Sequence, residues 1–177
     1  MVVDWEQLDV ARRRFPVGRQ VPGTVTRMPQ PGAIGLFVSL GETPEGFVDV
    51  LALPRDPHLW PPPGTTMGFE VLQHRPGQVR LWPVDPRWRH ADARDDQESI
   101  TWARTKSRYR EGQLVTARVT HVVTGNREYM VAFGDDHAVL EWSYERPTLG
   151  TTGTFRVEAL LDTTRRILLA PVELSES

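Results

Sequence analysis

The chain contains two copies of one pattern, and this repetition constrains its fold more than any other feature of the sequence. Gly-Thr-Thr, followed by Phe and then Val, occurs in GTTMGFEVL (64–72) and again in GTTGTFRVEAL (150–160). Three further blocks recur in the same order: VGRQVPGTVTRM (17–28) with EGQLVTARVTHV (111–122), LFVSLG (36–41) with YMVAFG (129–134), and VRLWPVD (79–85) with ILLAPVE (167–173). The offsets along the chain are 94, 93, 86 and 88, as expected when only the loops differ in length. Four blocks in one order predict a tandem repeat of a structural unit.

Each repeat is predicted to contain five β-strands. Val21, Gly23 and Val25 alternate with the period of two that a half-buried strand requires. The predicted strands are 19–28, 33–41, 46–53, 66–74 and 77–84 in the first repeat, and 112–123, 127–134, 137–143, 151–161 and 164–172 in the second. The proline-rich stretch at 53–64 is predicted to be a loop or a short turn of helix. Five strands in so short a repeat favour a closed or nearly closed barrel over a β-sandwich.

Two segments outside the repeats are predicted to be helical. The spacing of Trp5, Leu8 and Ala11 indicates an amphipathic helix over 2–14, which we expect to cap the first barrel. Residues 92–106 contain no proline or glycine and predict a helix within a charged connector. The expected organisation is an N-terminal helix (1–16), a first barrel (17–88), a connector (89–110), a second barrel (111–174) and a tail (175–177).

The first repeat carries a specific order of glycine, valine and phenylalanine residues. The stretches that carry it are VGRQVPGTVTRM, GLFVSLGETPEGFVDVLAL, PGTTMGFEVL and GQVRLW, which cover residues 17 to about 84. They resemble the S-one type RNA-binding domain, an OB-fold barrel that is repeated in the largest ribosomal small-subunit protein. The second repeat resembles this family only through the first. The implied fold class is mainly β, with two tandem five-stranded OB-fold barrels, a short N-terminal helix and a helical connector.

The resemblance also implies where a ligand binds. In this family the second and third strands stack bases on aromatic rings, with a histidine and basic groups nearby, and such stacking contributes about 1–3 kcal/mol per base. Phe37 matches the second aromatic position, but Ile34 occupies the first. Asp49 occupies the histidine position, where an anion repels phosphate. The corresponding residues of the second repeat are about Arg127, Met130 and Val139 or Leu140.

Two arginines of the first repeat are candidates to contact a nucleic-acid backbone beside Phe37. Arg80 lies on the predicted fifth strand and Arg27 ends the first. Arginine suits bidentate contacts to phosphate and stacking on planar groups. Solvated strand arginines with no ligand are the alternative, and Phe37 has the alternative of packing against the N-terminal helix.

The connector contains the densest basic segment of the chain. Arg104, Lys106 and Arg108 fall within WARTKSRYR (102–110), where they would neutralise several phosphates. The alternative is a solvated helix whose charge is balanced within the connector. The acidic residues that would balance it are Asp92, Asp95, Asp96 and Glu98.

Composition narrows the classes of function. The chain has no cysteine, which excludes disulfides and thiolate metal sites, and its net charge of −2 argues against nucleic-acid binding by bulk charge alone. The five histidines have no metal-ligand spacing, and no phosphate-cradling loop, nucleophile elbow or paired-carboxylate motif occurs. We therefore expect a protein that is not an enzyme and holds no cofactor or metal. Without a secretory signal or a membrane-spanning run, a cytoplasmic location without membrane contact is the default expectation.

Two functions are compatible with these features. The leading hypothesis is binding of RNA or single-stranded nucleic acid through Phe37, Arg80 and Arg27 of the first barrel, assisted by the basic run of the connector. The alternative is a protein-interaction module, such as an inhibitor, an immunity-type protein or an adaptor subunit, in which neither barrel binds nucleic acid. The aspartate at the histidine position and the acidic second repeat favour this alternative.

Overall fold

The computed structural model describes residues 3–90 and 95–172. Contacts within the chain divide it into two units, Met1–Ala93 and Arg94–Ser177. Each unit contains one α-helix and five strands among its described residues, so the expected mainly β fold with two helices is confirmed. Residues 91–94 of the expected connector and the expected tail at 175–177 lie outside the described residues.

The first unit is a helix followed by a closed barrel. Its elements are α1 (Trp5–Arg14), β1 (Gln20–Arg27), β2 (Gly35–Ser39), β3 (Glu45–Asp49), β4 (Thr66–Arg75) and β5 (Gln78–Pro83). The strand order is β1-β2-β3-β5-β4, and β3 pairs with β5 in parallel while the other neighbours are antiparallel. The third strand ends earlier than predicted, because Val50–Ala52 forms a 3-10 turn. A second such turn, Pro57–Leu59, lies in the proline-rich stretch.

Helix α1 packs against β4 through its apolar face. The Asp4 side chain accepts a hydrogen bond from the Gln7 amide at 3.1 Å and so caps the first turn. Leu8 and Ala11 are buried. The carbonyl oxygen of Phe15, just beyond the helix, lies 2.7 Å from Nε2 of the fully buried His74 in β4. This contact anchors the end of the helix on the barrel, because a buried carbonyl requires a hydrogen-bonding partner.

The second unit repeats the same order of elements. They are α2 (Asp95–Arg108), β6 (Leu114–Val123), β7 (Glu128–Phe133), β8 (Asp136–Glu141), β9 (Thr152–Leu161) and β10 (Arg166–Pro171). Its strands form a five-stranded sheet in the order β10-β9-β6-β7-β8. Strands β8 and β10 approach each other at the two ends of this order, but the described residues show no backbone ladder between them. This sheet is therefore nearly closed, whereas the first is closed.

Strand register confirms that the two units are copies. Val21 pairs with Phe69 in the first unit as Val115 pairs with Phe155 in the second. The irregularities also recur at equivalent places, between Val25 and Arg27 in β1 and between Val119 and His121 in β6. A β-bulge alters strand direction and side-chain placement, so its repetition indicates a shared architecture.

The repeated Gly-Thr-Thr motif forms the turn that enters the fourth strand of each unit. Gly64 donates its amide to the Val25 carbonyl at 2.7 Å, and the Thr65 hydroxyl donates to the Pro62 carbonyl at 2.7 Å. In the second unit Gly150 donates to Val119 at 2.8 Å, and Thr151 donates to Thr148 at 2.7 Å. Both glycines have positive φ, which explains the requirement for glycine at this position. The motif therefore shapes the same turn in both units.

The repeat also includes the helix, which sequence reasoning missed by treating α2 as part of a connector. Residues 94 positions apart have equivalent roles: Leu8, Ala11 and Phe15 of the first unit correspond to the buried or half-buried Trp102, Thr105 and Tyr109 of the second. Tyr109 packs edge-on against Phe133, with ring centroids 5.3 Å apart. Helix α2 is therefore the second unit's own cap. A sequence signal for this equivalence was available. The pattern Arg-x-Arg-aromatic-x-x-Gly at 12–18 recurs at 106–112, where lysine replaces the first arginine.

Candidate nucleic-acid interface

Four side chains form a row across the outer face of the first barrel. Backbone register pairs Arg27 with Phe37, Phe37 with Phe47, and Phe47 with Arg80, so the row crosses β1, β2, β3 and β5. We call these residues the Arg–Phe–Phe–Arg row. The structure thus brings together three predicted site residues, Phe37, Arg27 and Arg80, and adds Phe47, which sequence reasoning missed.

The members of the row contact one another in sequence. The rings of Phe37 and Phe47 meet edge to face, with centroids 5.0 Å apart and planes inclined by 66°. The guanidinium carbon of Arg27 lies 3.9 Å from the centroid of Phe37, and that of Arg80 lies 4.5 Å from the centroid of Phe47. Each arginine is within cation–π range of its ring. The row therefore consists of two aromatic rings, each covered by a planar cation.

Phe47 is the inner ring and Phe37 the outer one. Phe47 is only 6% exposed, although it lies on the face opposite the buried core residues of its neighbours. Its ring passes over Gly35, where an added Cβ would stand 3.1 Å from Cζ of Phe47 and where φ is +124°. The closest atom to that Cβ would be the carbonyl oxygen of Val48, so glycine at 35 is required chiefly by the backbone and only secondarily by the ring. The sequence signal that could have found Phe47 is the alternation of side chains between the two faces of a strand. Phe47 precedes Asp49 by two residues and therefore lies on the same face.

Both arginines of the row have carboxylate partners. Arg27 Nη2 lies 2.8 Å from Glu45 Oε2, and Arg80 Nη1 lies 3.4 Å from Asp49 Oδ2. Asp49 has a second role, because its Oδ1 accepts the Leu51 amide at 3.0 Å and ends β3. The anion at the family's histidine position thus pairs with an arginine beside the ring.

The charge around the row is not fully compensated. Burial lowers the pKa of Arg80 from its ordinary value, the nearby Arg75 lowers it further, and Asp49 opposes both effects. Arginine remains protonated at all ordinary pH values. Arg75 donates to Gln73 Oε1 at 3.5 Å, and no carboxylate among the described residues forms an ion pair with it. It is therefore an exposed, uncompensated cation near the Arg80 end of the row.

The second unit has different residue types at the positions equivalent to the Arg–Phe–Phe–Arg row. Register pairs His121 with Met130 and Met130 with Val139, and Leu168 occupies the position of Arg80 on the last strand. None of these four is phenylalanine or arginine, and the imidazole of His121 is the one aromatic ring among them. Register also corrects the sequence alignment, which placed Val139 or Leu140 at the position of Asp49. Val139 corresponds to Phe47, and Glu141 corresponds to Asp49.

Two of the three predicted residues in the basic run are paired within the second unit. Lys106 Nζ lies 2.7 Å from Asp162 Oδ1, and Arg108 lies 3.4 Å from Asp135 and 3.0 Å from Asp136. Arg104 is exposed. The pairing carboxylates come from the β7–β8 turn, the first residue of β8 and the β9–β10 turn, instead of the preceding part of the helix. Of the acidic residues expected to balance the run, Asp92 and the side chains of Asp95 and Asp96 fall outside the description, and Glu98 pairs with Arg165.

Asp162 also binds Trp102, one of the two aromatic residues of the 102–110 segment. The indole Nε1 of Trp102 donates to Asp162 Oδ1 at 2.8 Å, and Trp102 is only 8% exposed. Hydrogen bonds from Lys106 and then from Trp102 hold the pKa of Asp162 below its ordinary value. Trp102 is therefore part of the core beneath α2 and does not offer a ring face for stacking.

Within residues 3–90 and 95–172, no group of three or more histidine, aspartate or glutamate side chains is placed to hold a metal ion. Neither α1 nor α2 is long and apolar enough to cross a membrane.

No protein-family model and no curated protein match the chain. It is similar to a solved structure of a multidomain protein with nucleic acid binding domains from Streptococcus pneumoniae, with 18% identity over 89% of this chain and 52% of that one, at a TM-score of 0.33. It is also similar to GSP13 from Bacillus subtilis, with 23% identity over 48% of this chain and 71% of that one, at a TM-score of 0.35. A third is the a/eIF2alpha–aDim2p–rRNA complex from Pyrococcus horikoshii, with 19% identity, coverage of 52% and 55%, and a TM-score of 0.33. The chain thus spans about half the length of the first structure.

Proposed function

We propose that the first barrel binds single-stranded RNA along the Arg–Phe–Phe–Arg row. The observation that carries this proposal is the stacked pair of Arg27 and Phe37, 3.9 Å apart on the outer face of the barrel. Bases of single strands stack both on aromatic rings and on guanidinium planes. Arg27 is 56% exposed, so a base has access either to the guanidinium or, once Arg27 swings away, to the ring beneath it.

Stacking dominates this mode of binding, and bulk charge contributes little. Arg27 and Arg80 both carry carboxylate partners, so a phosphate must compete with Glu45 or Asp49 for them. Arg75 has no carboxylate partner in the part of the chain that the structure describes, and it supplies one direct attraction for the RNA backbone. A row of this kind suits a chain whose net charge is −2.

A protein-interaction role for the second unit is the second candidate. Val139, at the position of Phe47, is 45% exposed, and the neighbouring Met130 and Leu168 are half-buried. Apolar side chains on an outer sheet face are typical of surfaces that contact other proteins. In this arrangement the first barrel binds RNA while the second binds a protein.

The decisive experiment compares equivalent positions in the two units. Fluorescence anisotropy with single-stranded RNA, at low and at moderate salt, is measured for the full chain and for Phe37→Ala and Met130→Ala. Loss of a stacked base costs about 1–3 kcal/mol, so we expect Phe37→Ala to weaken binding on the order of tenfold or more. Met130→Ala is expected to bind as the unchanged chain does, and thermal unfolding checks that both variants are folded.

Other results would point elsewhere. Absence of binding at low salt, or full affinity in Phe37→Ala, contradicts RNA binding through the row. A stoichiometric protein partner that is recovered with the full chain but lost with Val139→Asp supports the second candidate. Equal affinity for single-stranded DNA would widen the ligand class, since the row has no contact that requires a 2′-hydroxyl.

We further propose that binding is not coupled to a chemical reaction. The sequence contains none of the nucleophile or paired-carboxylate motifs that hydrolysis of a phosphodiester or an ester commonly uses. Labelled RNA that is incubated with the protein and Mg²⁺ should be recovered intact, and accumulation of shortened products would contradict this proposal.

A further inference from the structure

We infer that the stacking position over Phe37 selects guanine, with Glu45 accepting hydrogen bonds from the N1–H and C2–NH2 edge of the base. This inference rests on the proposed RNA binding and deepens it, because it names the base. Phe37 lies on β2, which pairs with β1 on one side and β3 on the other, and Glu45 is the first residue of β3.

The protein itself displays the recognition geometry, with Arg27 in the place of the base. The Arg27 guanidinium is a planar group that lies 3.9 Å from the centroid of Phe37 and donates from Nη2 to Glu45 Oε2 at 2.8 Å. Guanine contains the same fragment, since its C2 carries N1, N3 and the exocyclic amine, which together form a guanidine fused into a flat ring. A guanine that displaces Arg27 therefore reproduces both the stacking and the donation to the carboxylate.

The other bases do not offer this edge. Adenine and cytosine each place one exocyclic amine beside a ring nitrogen that accepts hydrogen bonds, and uracil places its single N–H between two carbonyl oxygens. A carboxylate is an acceptor only, so each of these neighbouring acceptors repels it. Guanine alone presents two adjacent donors to the two oxygens of Glu45.

Glu45 is the carboxylate available for this role, and Asp49 is not. The Oε1 atom of Glu45 has Thr26 Oγ1 as its hydrogen-bonding neighbour, at a distance of 3.5 Å, and the side chain is 38% exposed. Asp49 uses one oxygen for the Leu51 amide and the other for Arg80. Asp49 therefore holds the end of β3, while Glu45 can exchange Arg27 for a base.

Displacement leaves Arg27 with a new function. Its side chain is already 56% exposed, so it can turn outward without unpacking the barrel core. Once released from Glu45, the guanidinium is an uncompensated cation beside the bound nucleotide and can pair with a phosphate bidentately. After this exchange Glu45 contacts the base and Arg27 contacts a phosphate, so neither charged group is left without a partner.

The test uses the full chain and short uridine-rich single-stranded RNAs with one central guanine, inosine or adenine. Inosine keeps N1–H but lacks the 2-amino group, so it tests the contribution of the second donor to Glu45 without any change in the protein. We expect guanine to bind more tightly than adenine by on the order of tenfold, with inosine losing most of that advantage. In Glu45→Gln the guanine preference should disappear while binding of the adenine strand is kept or strengthened, because a competing anion has been removed.

Glu42→Gln is the matched control. Glu42 is 61% exposed and pairs with Arg14 in the β2–β3 turn, so the substitution changes the charge equally without touching the row, and the guanine preference should persist. Equal affinity for all three RNAs, or a guanine preference that survives in Glu45→Gln, overturns the inference and leaves RNA binding intact. Absence of binding to every RNA at low salt overturns the proposed function as well.

Discussion

Gly46 in β3 lies opposite Val79 in β5, and a Cβ added to Gly46 would stand 2.5 Å from Cδ1 of Leu81. The second unit has Ala138 at this place, since Ala138 pairs with Val131 as Gly46 pairs with Val38. A methyl group at position 46 would therefore require Leu81 or its surroundings to shift. Among the described residues, β3 and β5 share a parallel ladder, whereas β8 and β10 share none.

Gly46→Ala should therefore destabilise the first unit. Overpacking a filled core costs about 1–3 kcal/mol, and urea unfolding of the full chain measures it. Gly68→Ala is the matched control, because the nearest atoms to its added Cβ lie at an ordinary contact distance of 3.8 Å. We expect the control to unfold near the urea concentration of the unchanged chain. If both variants unfold at the same urea concentration, the close approach at Gly46 does not limit the packing of the first barrel.

Arg75→Ala should reduce the salt dependence of RNA binding. Arg75 is the exposed cation near Arg80 that has no carboxylate partner among the described residues. Each phosphate neutralised on a single strand contributes about −0.7 to the slope of log K against log salt, so the slope should become shallower by about that amount. Anisotropy titrations over a range of salt concentrations measure it. An unchanged slope would show that Arg75 does not contact the backbone.

Removal of the paired cations of α2 should affect the second unit more than it affects RNA binding. Lys106 and Arg108 are bound by Asp162, Asp135 and Asp136, so Lys106→Met and Arg108→Met together are expected to change RNA affinity less than Phe37→Ala does. Partly exposed ion pairs of this kind contribute about 0–1 kcal/mol each, and thermal unfolding should show a small loss.

Arg104→Met is the comparison for that pair, because Arg104 is exposed and forms no ion pair among the described residues. A tenfold loss of RNA affinity in the double variant, without a change in unfolding temperature, would instead support α2 as part of the nucleic-acid interface.

Asp162→Asn should remove a pH-dependent part of the stability of the second unit. The folded protein holds the pKa of Asp162 below its ordinary value, mainly through Lys106 and also through Trp102. The unfolded chain therefore binds this proton more readily, and the contribution is present above the unfolded pKa of about 3.9 and is lost as pH falls through the folded pKa. Unfolding curves of both proteins should differ at pH 6 and converge in acid. A difference that is independent of pH would contradict this account.

The architecture was predictable because it depends on local patterns. Period-two alternation, the Gly-Thr-Thr turns and the repeated order of blocks each act over a few residues, and they located the ten strands that the structure describes. The role of α2 was missed because its equivalence to α1 is carried by buried positions of different residue types, Trp102 for Leu8 and Tyr109 for Phe15. Each pair fills an equivalent space with side chains of different size, so matching residue types along the chain does not find it.

The sequence by itself determined two five-stranded units, an N-terminal helix and a helical connector, and it predicted Phe37 as a stacking position. Only the tertiary structure decided that Arg27, Phe37, Phe47 and Arg80 form one row and that Glu45 and Asp49 hold its arginines. The row depends on the irregularity between Val25 and Arg27, which sets Arg27 opposite Phe37. Register and bulges arise from hydrogen bonds between strands far apart in the chain, and a pattern along one strand does not contain them.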